Sequence, residues 1–415
     1  MKELGEHIRR HADDYRDAVH QHFFATVAES RQIFALSMRD THPALAPAVA
    51  WILDAADDAG FLPEETIERV RELGKEHRRH GFPTEIYPKF EASLNEGFTA
   101  LGLTQHQLVV AKRAIHTVCT TMAQAAHAAD IAGIAPAHSA QVVAVEHPNR
   151  NTAVVRLESG APIEYEAGQH FPVTSQLLPG TWRMLTPAHP ADTTGQLLFH
   201  IALAGDASSM LAKAKPGDWW TLGNPAGNFP SLHDGKATAL ISFGTGWAGA
   251  RAALLDCLAA GEVPKNLSVY SVASSPGEHY DTHFQANLQA LLPELSFHYI
   301  SRSERDPWLL GAQPQAEGFA SESAGESQDP ITVVLRHEKD HEKDGAKDKR
   351  FILVGPADRV EVARESLLAA GIPAGNIHAQ SWQRGHEWAA SAADLDGWED
   401  WDAWAAWKKS EWMQT

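Results

Sequence analysis

The hydrophobic period changes twice along the chain, and each change marks a boundary between domains of different class. From the first residue to about Ala137, apolar and charged residues recur at spacings of three and four, with Gly or Pro breaks near Pro43, Pro63, Pro83 and Gly102. That spacing predicts an all-α domain over 1–137. Beyond Pro136-Ala137-His138 the pattern shortens to alternating runs at 140–145, 152–157, 171–174 and 197–203, separated by Gly, Pro and Asn. Such runs predict a small antiparallel β-barrel or sandwich over 138–234. From Ala237 continuous apolar strands at 237–243, 267–272 and 350–354 alternate with helical stretches, the order of a parallel α/β sheet over 235–385. A length of 415 residues accommodates about three such domains.

Composition removes several functions. Lys plus Arg number 35 against 53 Asp plus Glu, a formal charge of −18 that repels phosphate backbones and anionic lipid. Neither nucleic acid nor a membrane surface is an expected partner. Cys119 and Cys257 are too few for a disulfide framework or a four-thiolate zinc site, as expected of a reducing cytoplasm. Residues 1–15 carry charges throughout, and no window approaches the length of about 18 apolar residues that a spanning helix needs. The expectation is a soluble, unprocessed cytoplasmic chain. Residues 302–349, rich in Ser, Gly, Gln and Glu and then in charge, read as a flexible insertion. In the acidic tail, 386–415, Trp398, Trp401, Trp404 and Trp407 recur every third residue. That recurrence predicts an amphipathic helix docking its indoles on the body or on a protein partner.

Two features carry chemistry. In the helix predicted over 65–80, Ile67, Val70, Leu73 and Gly74 share one face, and His77 continues it inward. An inward imidazole is either a hydrogen-bonded core residue or a metal ligand. Gly81-Phe82-Pro83 ends that helix, Thr84 with Glu85 offers the next start, and Tyr87 is expected to reach the other ring nitrogen with its hydroxyl. Further on, a buried strand runs into Gly244-Thr245-Gly246-Trp247-Ala248-Gly249 and then a helix. Glycines there admit a pyrophosphate to the helix N-terminus, or make a tight turn and nothing more.

The run from His77 through Phe82, Glu85 and Tyr87 to Pro88 resembles the proximal segment of flavohaemoglobins, and Phe23-Phe24, Arg31 and Ile33-Phe34 resemble the stretch before it. The resemblance covers about residues 18–382. It implies a globin holding haem b, with His77 as axial ligand and Phe34 packed on the ring, followed by an FAD barrel and a nicotinamide domain. His20 falls where the family has a distal tyrosine, with Gln21 and His22 beside it. His42 lies near the distal glutamine position, and Ala126 replaces the proximal glutamate. His20 or His42 is expected to donate a hydrogen bond to bound oxygen.

Gly168-Gln169 and Trp182-Arg183-Met184-Leu185-Thr186-Pro187 resemble the flavin motifs. The resemblance places Gln169 on the flavin strand, Arg183 on the pyrophosphate, the Thr186 hydroxyl beside the reactive ring nitrogen, and Leu185 where an aromatic ring normally lies. Ser209 matches a pyrophosphate turn, and plain turn chemistry is the alternative for it and for Gly227. Gly244, Thr245 and Gly246 would face the dinucleotide, Gly355 and Pro356 would pack beside the nicotinamide with Val354 in place of a cysteine, and Trp382 would cover the flavin. Nothing around 271–275 chooses between NADH and NADPH. The activity implied is electron transfer from NAD(P)H through FAD to haem iron, with O2 and NO as gaseous ligands converted to nitrate. Two competitors are a haem-based sensor with an idle reductase module and an NAD(P)H–flavin reductase with another acceptor.

Overall fold

The structure, a computed structural model, describes residues 2–32, 44–178, 180–262, 266–292, 295–306, 321–324, 329–341 and 349–381. It divides into two compact units at Pro136/Ala137. The first contains α1 (Lys2–Arg10), α2 (Ala12–Thr26), α3 (Leu45–Ala55), α4 (Glu64–His77), α5 (Tyr87–Ala100) and α6 (Gln105–Ile131). The long helix α6 starts from a capping box: the Thr104 hydroxyl accepts from the Gln107 amide, and the Gln107 side chain accepts from the Thr104 N–H at 3.0 Å. Its buried residues Ala111, Ala114, Ile115, Val118 and Met122 repeat at three and four, which makes it the spine of this core. Helix α4 meets it at Gly74, where a Cβ would lie 2.6 Å from the Met122 carbonyl oxygen. Only glycine lets the two backbones approach so closely, one turn before His77.

The second unit opens with β1 (His138–Asn149), β2 (Thr152–Ser159), β3 (Phe171–Ser175), β4 (Arg183–Leu185), β5 (Gln196–Ala202), α7 (Asp206–Leu211) and β6 (Trp219–Leu222). These strands form one antiparallel sheet in the order β4-β3-β6-β1-β2-β5. A bridge from Pro187 to Phe199 brings the chain beyond β4 onto β5 and closes the sheet into a barrel. Phe171, Phe199 and Trp220 fill it.

The chain continues through β7 (Thr238–Phe243), α8 (Trp247–Ala260), β8 (Leu267–Ala273), α9 (Thr282–Leu291), β9 (Leu295–Ser301), β10 (Ser321–Ser323), α10 (Pro330–His341), β11 (Arg350–Val354), α11 (Ala357–Ala369) and β12 (Ile377–Gln380). Their sheet is parallel in the order β10-β9-β8-β7-β11-β12. Every residue of β7 and β11 is buried, as expected of strands covered on both faces.

One sequence expectation is corrected here. The segment read as a flexible insertion contains β10, paired with β9, and α10. Ile331, Val333 and Val334 bury an apolar face of α10, and the charge block is not wholly solvated. Glu338 and Lys349 pair inside the protein at 2.5 Å, and Glu338 also accepts from the Tyr270 hydroxyl at 2.7 Å. Composition counts such charges as surface, whereas pairing allows their burial. The Trp-rich tail lies outside the described residues.

One buried histidine, His200, and two half-buried ones, His170 and His279, make this unit acid-sensitive. Burial holds His170 and His279 down to about 4 and His200 to about 3. Their folded-state values lie below the unfolded value near 6.5, so the unfolded chain binds more protons as pH falls through that window. Their stabilisation is complete above about pH 6.5 and is lost toward about pH 4, with a slope of up to about 1.4 kcal/mol per pH unit per residue. The urea midpoint of the 137–383 transition is expected to fall from pH 7 to pH 5. A flat midpoint over that range would contradict the assignment.

Candidate functional site

His77 closes α4, and its position follows from the Gly74 approach described above. Its Nδ1 lies 2.9 Å from the Leu73 carbonyl, which can only accept, so Nδ1 carries the proton and Nε2 keeps its lone pair. Burial, and secondarily the Arg79 charge, holds the ring down to about 4 and therefore neutral at physiological pH. Among the described residues Nε2 has no hydrogen-bond partner. A neutral imidazole with its other nitrogen anchored is the form that ligates a metal. The next residue, Arg78, is buried and ties the end of α4 to Asp130 (2.6 Å) and to the Ile134 carbonyl. Among the described residues no group of three or more His, Cys, Asp or Glu is arranged to hold a metal ion.

Two expectations for this unit fail on geometry. Tyr87 is buried at the start of α5 but does not bond His77; the Leu73 carbonyl, one turn back on the same helix, is the nearer acceptor for Nδ1. His20 is buried on α2, with Nδ1 2.8 Å from the Arg16 carbonyl. Burial lowers its pKa, so the neutral ring again carries its proton on Nδ1. Its Nε2 is an acceptor and cannot be the donor to bound oxygen that the sequence suggested. Ala126 is buried in α6. Phe34 and His42 lie outside the described residues.

The residues that the resemblance assigned to the flavin all lie in the second unit. Gly168 takes a φ of +86°, and a Cβ there would lie 2.5 Å from the Phe229 side chain. Gln169 is consumed by the turn: its Oε1 accepts from the Glu166 amide at 2.9 Å and its Nε2 donates to the Gly227 carbonyl at 3.1 Å. Gln380, at the end of β12, donates to the Gly168 carbonyl at 3.3 Å. Arg183 is half-buried on β4, its Nη1 3.1 Å from the Trp182 carbonyl. The Thr186 hydroxyl is buried and has no hydrogen-bond partner. Such an orphan is costly unless a bound group satisfies it. Ser209 sits in the short α7, whose first turn is closed instead by Ser208, bonded to Gly205 at 3.2 and 3.0 Å.

The turn after β7 lies where strand order reverses, between β7 and β11, the position at which open α/β sheets bind ligands. Gly244 is exposed at a φ of +53° with open space where a Cβ would be, and Thr245 is half-buried beside it. Gly246 differs: a Cβ there would lie 2.2 Å from the Val354 carbonyl oxygen. Gly355 closes the same seam, where a Cβ would meet that of Phe243 at 2.8 Å, and Pro356 caps α11. Gly246 thus makes the tight packing turn against β11, while Gly244 and Thr245 stay accessible beside it. Gly246→Ala is expected to cost about 1–3 kcal/mol through overpacking, more than Gly244→Ala, which meets only backbone strain. Paired thermal melts decide the order. Trp382 lies outside the described residues.

Sequence reasoning missed Arg251. It is the lone cation in the apolar stretch 247–255 of α8, and a single charge amid apolar residues on every side is the signal that marks it.

Residues 139–230 match the family model of the oxidoreductase FAD-binding domain. No curated protein matches the chain. Among solved structures, the flavohaemoglobin of Malassezia yamatoensis, determined with bound FAD and haem, is 17% identical with a TM-score of 0.65 and covers 90% of this chain and 95% of that one. The FAD/NAD-binding domain of the nitric oxide dioxygenase of Vibrio cholerae is 18% identical with a TM-score of 0.44, over 59% of this chain and 98% of that one. A ferredoxin NADP+ reductase from Neisseria gonorrhoeae, with FAD and NADP, is 19% identical with a TM-score of 0.46, over 57% and 92%. The first likeness shows the fold: a globin-type helical unit, an antiparallel FAD-domain barrel and a parallel α/β sheet follow one another in one chain.

Proposed function

We propose that the chain is a flavohaemoprotein oxidoreductase that draws electrons from NAD(P)H through FAD to haem iron and converts nitric oxide and oxygen to nitrate. One observation carries the reading. Among the polar atoms without a hydrogen-bond partner in the described residues are His77 Nε2 and Thr186 Oγ1, which belong to the residues that the flavohaemoglobin resemblance assigns to iron and to the flavin ring. When bound, FAD accepts hydride and releases single electrons, and haem supplies a redox-active iron.

The chain's own residues do the rest. His77 holds the metal while the Leu73 carbonyl fixes its ring plane and tautomer. Arg183 matches a pyrophosphate, and the Thr186 hydroxyl regains a partner at the flavin ring. The backbone of Gly244 and Thr245, with the start of α8 behind it, faces dinucleotide phosphates. Gly246 packs against the Val354 carbonyl and so seats this turn on β11. Two cysteines and a strongly acidic balance support a cytoplasmic setting.

The proton placement on His20 favours a second reading, in which the same electron path serves a gas sensor or a different acceptor, because no donor from this residue stabilises bound oxygen. One experiment separates them. Haem- and FAD-loaded protein is mixed with NADH and nitric oxide in air, and both substrates are followed. Coupled consumption at a fixed ratio is the expected result; slow NADH oxidation with nitric oxide untouched overturns the dioxygenase reading, and failure to take up FAD overturns the flavoprotein one.

A further inference from the structure

Helix α8 begins at Trp247, directly after the Gly244–Gly246 turn, and β4 ends just before Thr186. One side chain connects these two places. Arg251, one turn into α8, donates from Nη1 to the Ala188 carbonyl at 2.5 Å, two residues beyond Thr186. Its Nε lies 3.1 Å from Asp281 Oδ2, and the same oxygen accepts from Trp247 Nε1 at 2.7 Å. The guanidinium covers the Phe284 ring, 3.9 Å from its centroid. Ala188 is held from its other side, its N–H donating to the Leu198 carbonyl at 2.7 Å.

The residues are specialised for this tie. Arg251 and Asp281 are both largely buried, and Asp281 adopts a left-handed φ of +58°, which a non-glycine residue keeps only when its surroundings hold it there. A planar fork addresses a carbonyl and a carboxylate at once, which a lysine ammonium cannot do in this geometry. Other side-chain contacts between barrel and sheet lie elsewhere: Asn149 and Asn151 on Glu278 and His200 on Tyr280 hold the loop after β8, and Gln380 of β12 reaches the Gly168 carbonyl, so none of these bonds both the Thr186 segment and the Gly244–Gly246 turn.

We infer that Arg251 is a positioning residue for hydride transfer, setting the separation between the Thr186 strand and the Gly244–Gly246 turn. The inference rests on reading those elements as the flavin and nicotinamide sites. In the step concerned, the dihydronicotinamide gives up one hydride with its electron pair and becomes the pyridinium. FAD gains that hydride and becomes the anionic dihydroflavin, so charge balances without a proton. The reacting atoms must stand about 3–3.5 Å apart, and a misplacement of about 1 Å slows such a step about a hundredfold.

The test uses the full chain with Arg251→Met, Arg251→Lys and the double variant Arg251→Met with Asp281→Asn, which avoids a buried lone carboxylate. In FAD-loaded protein the maximal rate of flavin reduction by NADH is expected to fall about 30- to 100-fold in the methionine variants and less in the lysine variant. FAD content and the apparent KM for NADH should stay within about threefold. In protein free of cofactors, hydrogen exchange should quicken at least about tenfold at 186–189 and at 244–249 together. A maximal rate within threefold of the parent overturns the proposal. So does a rate loss that excess FAD restores, or faster exchange in one segment alone. If the parent itself takes no electrons from NADH, the site reading fails, and the exchange measurement still decides whether Arg251 ties the two segments.

Discussion

His77→Ala is expected to leave the chain without haem: Soret absorbance per protein should fall by about tenfold or more, with the helical content of 1–136 retained. On the proposed reading His77 is the iron ligand, and its removal deletes the metal bond while leaving α4 with the better helix former. The His80 ring lies 5.6 Å from that of His77, so the double variant with His80→Ala is measured beside it to exclude substitution by the neighbour. Tyr87→Phe provides the contrast. Because the Leu73 carbonyl orients the ring and the Tyr87 hydroxyl does not, that variant should bind haem within about threefold of the parent. Unchanged visible bands in the double variant would refute the assignment.

Glu338→Ala should be the most damaging single change to the parallel sheet, destabilising it by about 3–5 kcal/mol, the usual consequence of leaving one member of a buried pair uncompensated. Lys349 would keep only the Ser268 hydroxyl at 3.1 Å, and the Tyr270 hydroxyl would lose its acceptor. Removing both charges with Glu338→Leu and Lys349→Met should cost far less than the two single changes added together. Urea unfolding of the parent, Glu338→Ala, the two other single variants and the double variant checks this. A loss under about 1 kcal/mol, or simple additivity, would mean that the pair is not buried in solution.

The three-part order was legible because hydrophobic period responds directly to secondary structure, and β7, the Gly244–Gly246 turn and α8 stand where that pattern places them. What escaped reading depends on partners distant in the chain. The charges of 337–349 look solvated until Glu338 meets Lys349 and Tyr270 across α10 and β8. The tautomers of His20 and His77 are decided by carbonyls four residues back, which spacing alone does not weigh against a tyrosine hydroxyl. Gln169 carries a motif residue's identity, yet both ends of its amide are spent on its own turn and on Gly227. Arg251 needed Ala188 and Asp281 to give it meaning.

The bond from Gln380 to Gly168 spans 212 residues of chain. During synthesis the barrel strands leave the ribosome long before β12 does, so a nascent chain arrested ahead of residue 377 possesses the loop and lacks its clasp. The Gly168 turn therefore acquires this bond only after β12 has been translated.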